Sequence, residues 1–176
     1  RVRGGMTRGS RPVARGGGGP LRWHVMRYYA HFGHTDFVLC PGYGASAVKD
    51  FFLNYDETRS NDFALEKGAR EVKLFSTDIS EWRITFVDTG LNELIGQRLK
   101  KVQPHVEGDE IFLAAYGDGL TDAPLHEMIE ILAASDAAGL FLAAPPPHTF
   151  HIVTFPAANP PHTLPGPHPG PPPRVP

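Results

Sequence analysis

A strand that runs into Gly-Asp-Gly and then gives way to a helix constrains this chain more than any other stretch. Residues 110–122 read EIFLAAYGDGLTD. Glu110, Ile111, Phe112, Leu113, Ala114 and Ala115 form a mostly apolar run of strand length, broken by Tyr116-Gly117-Asp118-Gly119. Pro124 opens a pattern in which Leu125, Met128, Ile129 and Leu132 share one helical face. Strand, tight turn and helix put Asp118 at the carboxyl end of a strand, the edge where open α/β sheets bind ligands. A carboxylate between glycines suits Mg²⁺ that arrives with a phosphate chain. Mg²⁺ takes one or two carboxylates and completes its shell with phosphate oxygens and water. An aspartate in such a turn also reads as a helix cap, and this segment alone leaves both readings open.

The segments before it repeat the same theme. PLRWHVMRYYAHFG carries Leu21, Val25, Tyr28, Tyr29 and Phe32 at helical spacing, with Pro20 at the start and Gly33 as the stop. Residues 36–40, DFVLC, read as a short buried strand, and Pro41-Gly42-Tyr43-Gly44 turns the chain into a second helix over 45–55 with Val48, Phe51 and Phe52. Helix, strand and helix joined by short connections signal α/β winding. Residues 54–70 read as a polar loop excursion, and 71–75 and 83–87 as strands. Residues 87–98, VDTGLNELIGQR, form a loop with Gly90 and Gly96, followed by a short helix over 99–106 that Pro104 interrupts. Strands are expected at 140–144 and 149–155.

The ends differ from this middle. Residues 1–19 are rich in Gly and Arg and offer almost nothing to bury, which reads as a flexible basic arm. Arg-Gly pairs resemble RNA-binding arms, but no aromatic side chain is present there to stack bases. Prolines crowd the other end, so 156–176 reads as a disordered, polyproline-like tail in which His162 and His168 lack metal-ligand spacing. The ordered domain is therefore expected over 20–155. With a net charge of −2, the whole chain points to neither nucleic acid nor a membrane surface. No apolar stretch approaches the roughly 18 residues of a membrane span, and the N-terminus does not read as a secretory signal. The single cysteine, Cys40, reads as a buried thiol in a reducing compartment, so a cytoplasmic protein is expected.

Side by side, PLRWHVMRYYAHFG, DFVLCPGYGASAVKDFFLNY, WRITFVDTGLNELIGQRLKKV, YGDGLTDAPL and TFHIV resemble the sugar-1-phosphate nucleotidyltransferases, in the family's order and over about residues 20–153. The likeness is closest to the branch that uses CTP and glucose 1-phosphate. It implies a Rossmann-like α/β domain with a mixed, mostly parallel sheet flanked by helices. It also implies an enzyme that joins a nucleoside triphosphate to a sugar 1-phosphate and releases pyrophosphate. By that similarity Asp118 is the catalytic, Mg²⁺-binding carboxylate, beside Tyr116 and Gly117. Thr89, Gly90, Gly96 and Arg98 fall in the base-reading segment. Arg98 also reads as an ordinary solvated arginine at a helix start, and Asp122 as the cap of the helix behind Pro124.

The pattern also breaks. The family opens with a buried strand, a GGxGTRL stretch and a PKP motif. Here Gly4-Gly5-Met6 reads as the remnant of the glycine turn, with Thr7-Arg8 a shifted echo of the TR pair, so Gly4, Gly5 and Arg8 are candidate nucleotide-binding residues. No lysine occurs before Lys49, and the opening strand is expected to be missing, as is the family's C-terminal part. The abrupt ends suggest a truncated or frame-shifted reading of a longer gene. The expectation is family membership with impaired catalysis. The alternative is a non-catalytic nucleotide-binding relative with a regulatory or scaffolding role, and a homo-oligomer is compatible with either.

Overall fold

A computed structural model describes residues 2–7, 15–16, 19–117 and 119–143; up to residue 20 the description covers backbone only. Its elements in chain order are β1 (Val2–Thr7), β2 (Arg15–Gly16), β3 (Gly19–Pro20), α1 (Leu21–His31), β4 (Asp36–Leu39), α2 (Ala45–Leu53), a 3₁₀ turn (Glu57–Arg59), β5 (Phe63–Glu66), β6 (Glu71–Leu74), β7 (Arg83–Phe86), α3 (Ile95–Val106), β8 (Ile111–Tyr116) and α4 (Leu125–Ala133). The chain divides into two compact units, Arg1–Leu120 and Thr121–Pro176.

The first unit is built on a four-stranded sheet in the order β7-β4-β1-β8, every pair parallel. The chain steps outward from β1 through β4 to β7, then crosses back to lay β8 on the other side of β1. With one handedness of crossover, a reversal of direction sends the next helix to the opposite face. The packing obeys this. Val25 and Met26 of α1 and Val48 of α2 meet Phe37 and Leu39 on one face, joined by half-buried Tyr29, Phe52, Ile84, Phe86 and Ala115. Val102 of α3 meets Val38 and Cys40 on the other. Successive residues of β4 thus point to opposite layers, and Phe37, Val38, Leu39 and Cys40 are all apolar and buried because both faces are covered.

The opening strand expected to be missing is present and central. β1 pairs Gly4, Gly5 and Met6 with Phe37, Val38 and Leu39 on one side, and Val2–Thr7 with Ile111–Tyr116 on the other. VRGGMT lacks apolar alternation, and tertiary pairing on both edges makes it a strand against weak local preference.

Other boundaries shift for identifiable reasons. α1 ends where Gly33 adopts φ 85° and Tyr29 O accepts from both Phe32 N and His34 N. α3 begins at Ile95, four residues earlier than the periodicity suggests, because the Gln97 side chain returns to the Leu94 N–H at 3.0 Å. It continues through Pro104, which lies in its last turn. The excursion read as loop instead contains the 3₁₀ turn and β5, which pairs antiparallel with β6 as a hairpin apart from the main sheet. Glu57 fastens this excursion by accepting from the Asp78 and Ile79 amides. Asp78 in turn accepts from Tyr55, Ser60 and Arg27.

In the second unit, α4 follows Pro124 as expected and buries Leu125. No side chain caps it, so Asp122 does not have the capping role expected of it. Residues 140–143 form no strand, and Phe141 and Leu142 are exposed. The strand expected at 149–155 and the tail at 156–176 lie outside the described residues. Among the described residues no helix is long and apolar enough to cross a membrane.

Candidate nucleotide site at the carboxyl edge of the sheet

A parallel sheet aims the carboxyl ends of its strands at one edge, and the loops leaving β4, β7 and β8 gather there. The order reverses between β1 and β8. Their last pair in register is Thr7 with Tyr116, so both strands end together at the point where open α/β sheets bind ligands. Gly117 follows β8 directly and is buried, while Tyr116 is half exposed. Asp118 lies outside the described residues, between Gly117 and Gly119.

Gly117 is pressed by a side chain of α1. A Cβ added there would stand 2.6 Å from Arg22 Nε, 3.0 Å from its Cγ and 3.2 Å from its Cδ. Arg22 belongs to the first turn of α1, so the aliphatic stem of this cation lies directly over the glycine. Sequence reading gave Arg22 no role. Nothing in the pattern singles it out beyond a cation at a helix start.

The loop after β7 is built differently. Asp88 accepts from Gly90 N at 2.9 Å, and Gly90 takes φ 87°, a conformation that favours glycine. Thr89 is fully buried, and Arg98 is 1% exposed. Arg98 donates through Nη1 to Thr89 Oγ1, through Nη2 to Leu91 O at 3.0 Å and through Nε to Glu93 O at 3.0 Å. Lys101 donates to Thr89 O at 3.0 Å and to Glu93 Oε1 at 2.7 Å. Gly42, in the loop after β4, admits the guanidinium, since a Cβ there would be 3.0 Å from Arg98 Nη2. The reading of Arg98 as a solvated helix-start residue is therefore corrected. It is a buried guanidinium that fastens the 88–94 loop and lies against Gly42, and Glu93, Lys101 and Gly42 are neighbours that sequence spacing did not reveal.

The expected site residues thus fall into separate groups. Thr89, Gly90 and Arg98 come together at the end of β7, with Gly96 exposed in the first turn of α3 and nothing within 4 Å of an added Cβ. Tyr116 and Gly117 stand at the end of β8, three strand spacings away, or about 14 Å. Gly4 and Gly5, expected in a phosphate-binding turn, lie inside β1 instead, paired on both sides. Arg8 is outside the described residues. Among the described residues no group of three or more His, Cys, Asp or Glu side chains is placed to hold a metal ion.

No protein-family model matches the chain. It is similar to the glucose-1-phosphate cytidylyltransferase of Salmonella typhi, 33% identical over 149 residues that cover 85% of this chain and 58% of that protein. The protein of the same name from Salmonella typhimurium (strain LT2) is 33% identical over 140 residues, 80% of this chain and 54% of the relative. A Bacillus subtilis (strain 168) protein named "Probable glucose-1-phosphate cytidylyltransferase" is 35% identical over 128 residues, 73% of this chain and 49% of the relative. The chain spans about half the length of the curated relatives it matches. Over that span, with its parallel sheet reversing beside the Gly-Asp-Gly turn, the chain belongs to the sugar-1-phosphate nucleotidyltransferase family.

Proposed function

We propose that this protein transfers the cytidylyl group of CTP to glucose 1-phosphate, for nucleotide-sugar biosynthesis in the cytoplasm. The observation that carries the reading is the switch point between β1 and β8. It lies at the end of β8, directly before Asp118 in sequence, in a chain whose relatives are named glucose-1-phosphate cytidylyltransferases. In the reaction a phosphate oxygen of the sugar attacks the α-phosphorus of CTP in line. The bond from that phosphorus to the bridging oxygen breaks, and pyrophosphate leaves. Such chemistry asks a protein mainly to position two polyanions and to offset their charge. Mg²⁺ bound with the nucleotide would neutralise charge on the departing pyrophosphate, with Asp118 as its protein ligand.

The sheet edge suits a nucleotide laid along it. The base would meet the rigid 88–94 loop, and the phosphates would reach the end of β8 by Gly117. Thr89 and Arg98 spend their polar atoms inside the loop, so their part would be to hold its shape. Main-chain groups of the loop would then meet the base.

Incubating the protein with Mg²⁺, labelled glucose 1-phosphate and each triphosphate in turn tests this. Labelled CDP-glucose is expected from CTP, and Asp118→Asn should abolish it. A folded sample that makes no nucleotide sugar from any triphosphate rejects catalysis. The second reading, a non-catalytic nucleotide-binding relative, is favoured by Gly4 and Gly5 lying within β1 rather than in a phosphate turn. Thermal stabilisation by Mg·CTP without turnover would select it.

A further inference from the structure

The hairpin of β5 and β6 is an incomplete sheet. Its register sets Phe63 opposite Leu74 and Leu65 opposite Val72, so these four side chains share one face. That face is open to water, with Phe63 40%, Leu65 58% and Val72 53% exposed. Among the described residues the two strands pair only with each other. A lone two-stranded ribbon is marginal in water, and a third strand or a packed layer is what steadies it.

The ladder shows which groups of β6 are free to accept another strand. Phe75 N donates to Asp62 O at 2.9 Å, one step beyond the Phe63–Leu74 pair. Hydrogen-bonded pairs alternate along an antiparallel ladder, so the N–H and C=O of Val72 and Leu74 point away from β5. The charges beside them have a self-matching order, Glu71-Val72-Lys73. Set antiparallel about Val72, a second β6 brings its Lys73 opposite Glu71 and its Glu71 opposite Lys73. Within one copy Glu71 faces Glu66 across the hairpin, an unfavourable pair of like charges that a further cation relieves. Lys73 is loosely held, 4.0 Å from Glu66. Charges on a short edge strand ordinarily repel other strands; this order instead selects a copy of itself.

We infer that two copies of this chain pair through the outer edges of β6, antiparallel about a two-fold axis at Val72. The product is one four-stranded sheet, β5-β6-β6-β5, with a shared apolar face and a shared charged face. The pairing is independent of the proposed chemistry. An edge this short places the dimer among weak associations.

Sedimentation velocity from micromolar to millimolar protein tests this with wild type, Lys73→Glu, Glu71→Lys and the double exchange. Wild type should pass from monomer to dimer. Either single change sets like charges opposite each other twice and should weaken the dimer about tenfold, and the double exchange should restore it. A wild type that stays monomeric, or a dimer indifferent to both single changes, overturns the pairing. Oxidation of Val72→Cys and Leu65→Cys checks the geometry. The two copies of position 72 would have Cα atoms about 5.5 Å apart, within disulfide reach. Those of position 65 would be three strand spacings apart, about 14 Å. Dimers linked through Val72→Cys and not Leu65→Cys are expected. Linkage through Leu65→Cys, or through neither, overturns the edge pairing, and this readout decides alone if a charge exchange unfolds the chain.

Discussion

The hydroxyl of Thr89 is wholly buried, and its hydrogen-bond donor is the equally buried guanidinium of Arg98. Because the same guanidinium reaches Leu91 O and Glu93 O, one side chain fixes the loop between β7 and α3. Replacing Arg98 with Met should orphan several acceptors, and replacing Thr89 with Val should orphan one buried donor. Each orphaned buried group costs about 1–3 kcal/mol, so Arg98→Met is expected to lower stability in urea unfolding more than Thr89→Val. Arg98→Lys should not rescue it, since an ammonium lacks the planar fork. Equal midpoints for wild type and Arg98→Met would contradict this account of the loop.

Two glycines of the same segment should respond oppositely to alanine. Gly90 has φ 87°, and a Cβ there would sit 3.1 Å from Glu93 Cγ. Gly90→Ala should therefore cost about 1–2 kcal/mol in backbone strain. Gly96 is helical with open space around it, so Gly96→Ala should stabilise by about 0.5–1 kcal/mol. Chemical denaturation of both variants checks the pair of signs.

Acid should loosen the excursion between α2 and β7 through Asp78. Burial pushes its carboxyl up more than any other single influence. Hydrogen bonds from Ser60 and Tyr55, the Arg27 charge and a hydrogen bond with Asn61 together outweigh burial and hold it below the usual range. A carboxyl depressed in the folded state stabilises above its unfolded value, about 4, and loses that contribution as pH falls through the folded value. Asp78→Asn should thus be less stable than wild type at pH 7, with the gap closing below about pH 4. A stability difference that stays constant from pH 7 to pH 3 would refute this.

Cys40 should be slow to label. Burial raises its thiol pKa, partly countered by the Arg98 charge, and its side chain is enclosed beside Val38 and Val102. Since the thiolate is the reacting form, an aromatic disulfide reagent at pH 8 should modify the native protein at the rate of its opening and the unfolded protein within seconds. Immediate labelling of native protein would show that the sulfur is reachable.

Much of the fold was legible from local pattern. DFVLC is apolar from Phe37 to Cys40 and became a strand covered on both faces, and the face behind Pro124 became α4 with Leu125 buried. The helix over 21–31 was legible too. Its core side is set by Trp23, Val25 and Met26, however, while Phe32 falls beyond its end. The site was legible only as a list. Thr89, Gly90 and Arg98 could be named as neighbours of one segment. That Arg98 turns inward, onto Gly42 from another loop, has no local signature.

By itself the sequence determined which stretches can be helices and strands, and it carried a family likeness strong enough to name the sheet type. Periodic burial and glycine turns are local properties of the chain. Only the tertiary structure decided that VRGGMT is the central strand, that Arg22 lies over Gly117 and that Arg98 is a frame rather than a surface cation. Each of these depends on contacts between residues far apart in sequence. The free energy of such a contact belongs to the pair and is written in neither partner alone.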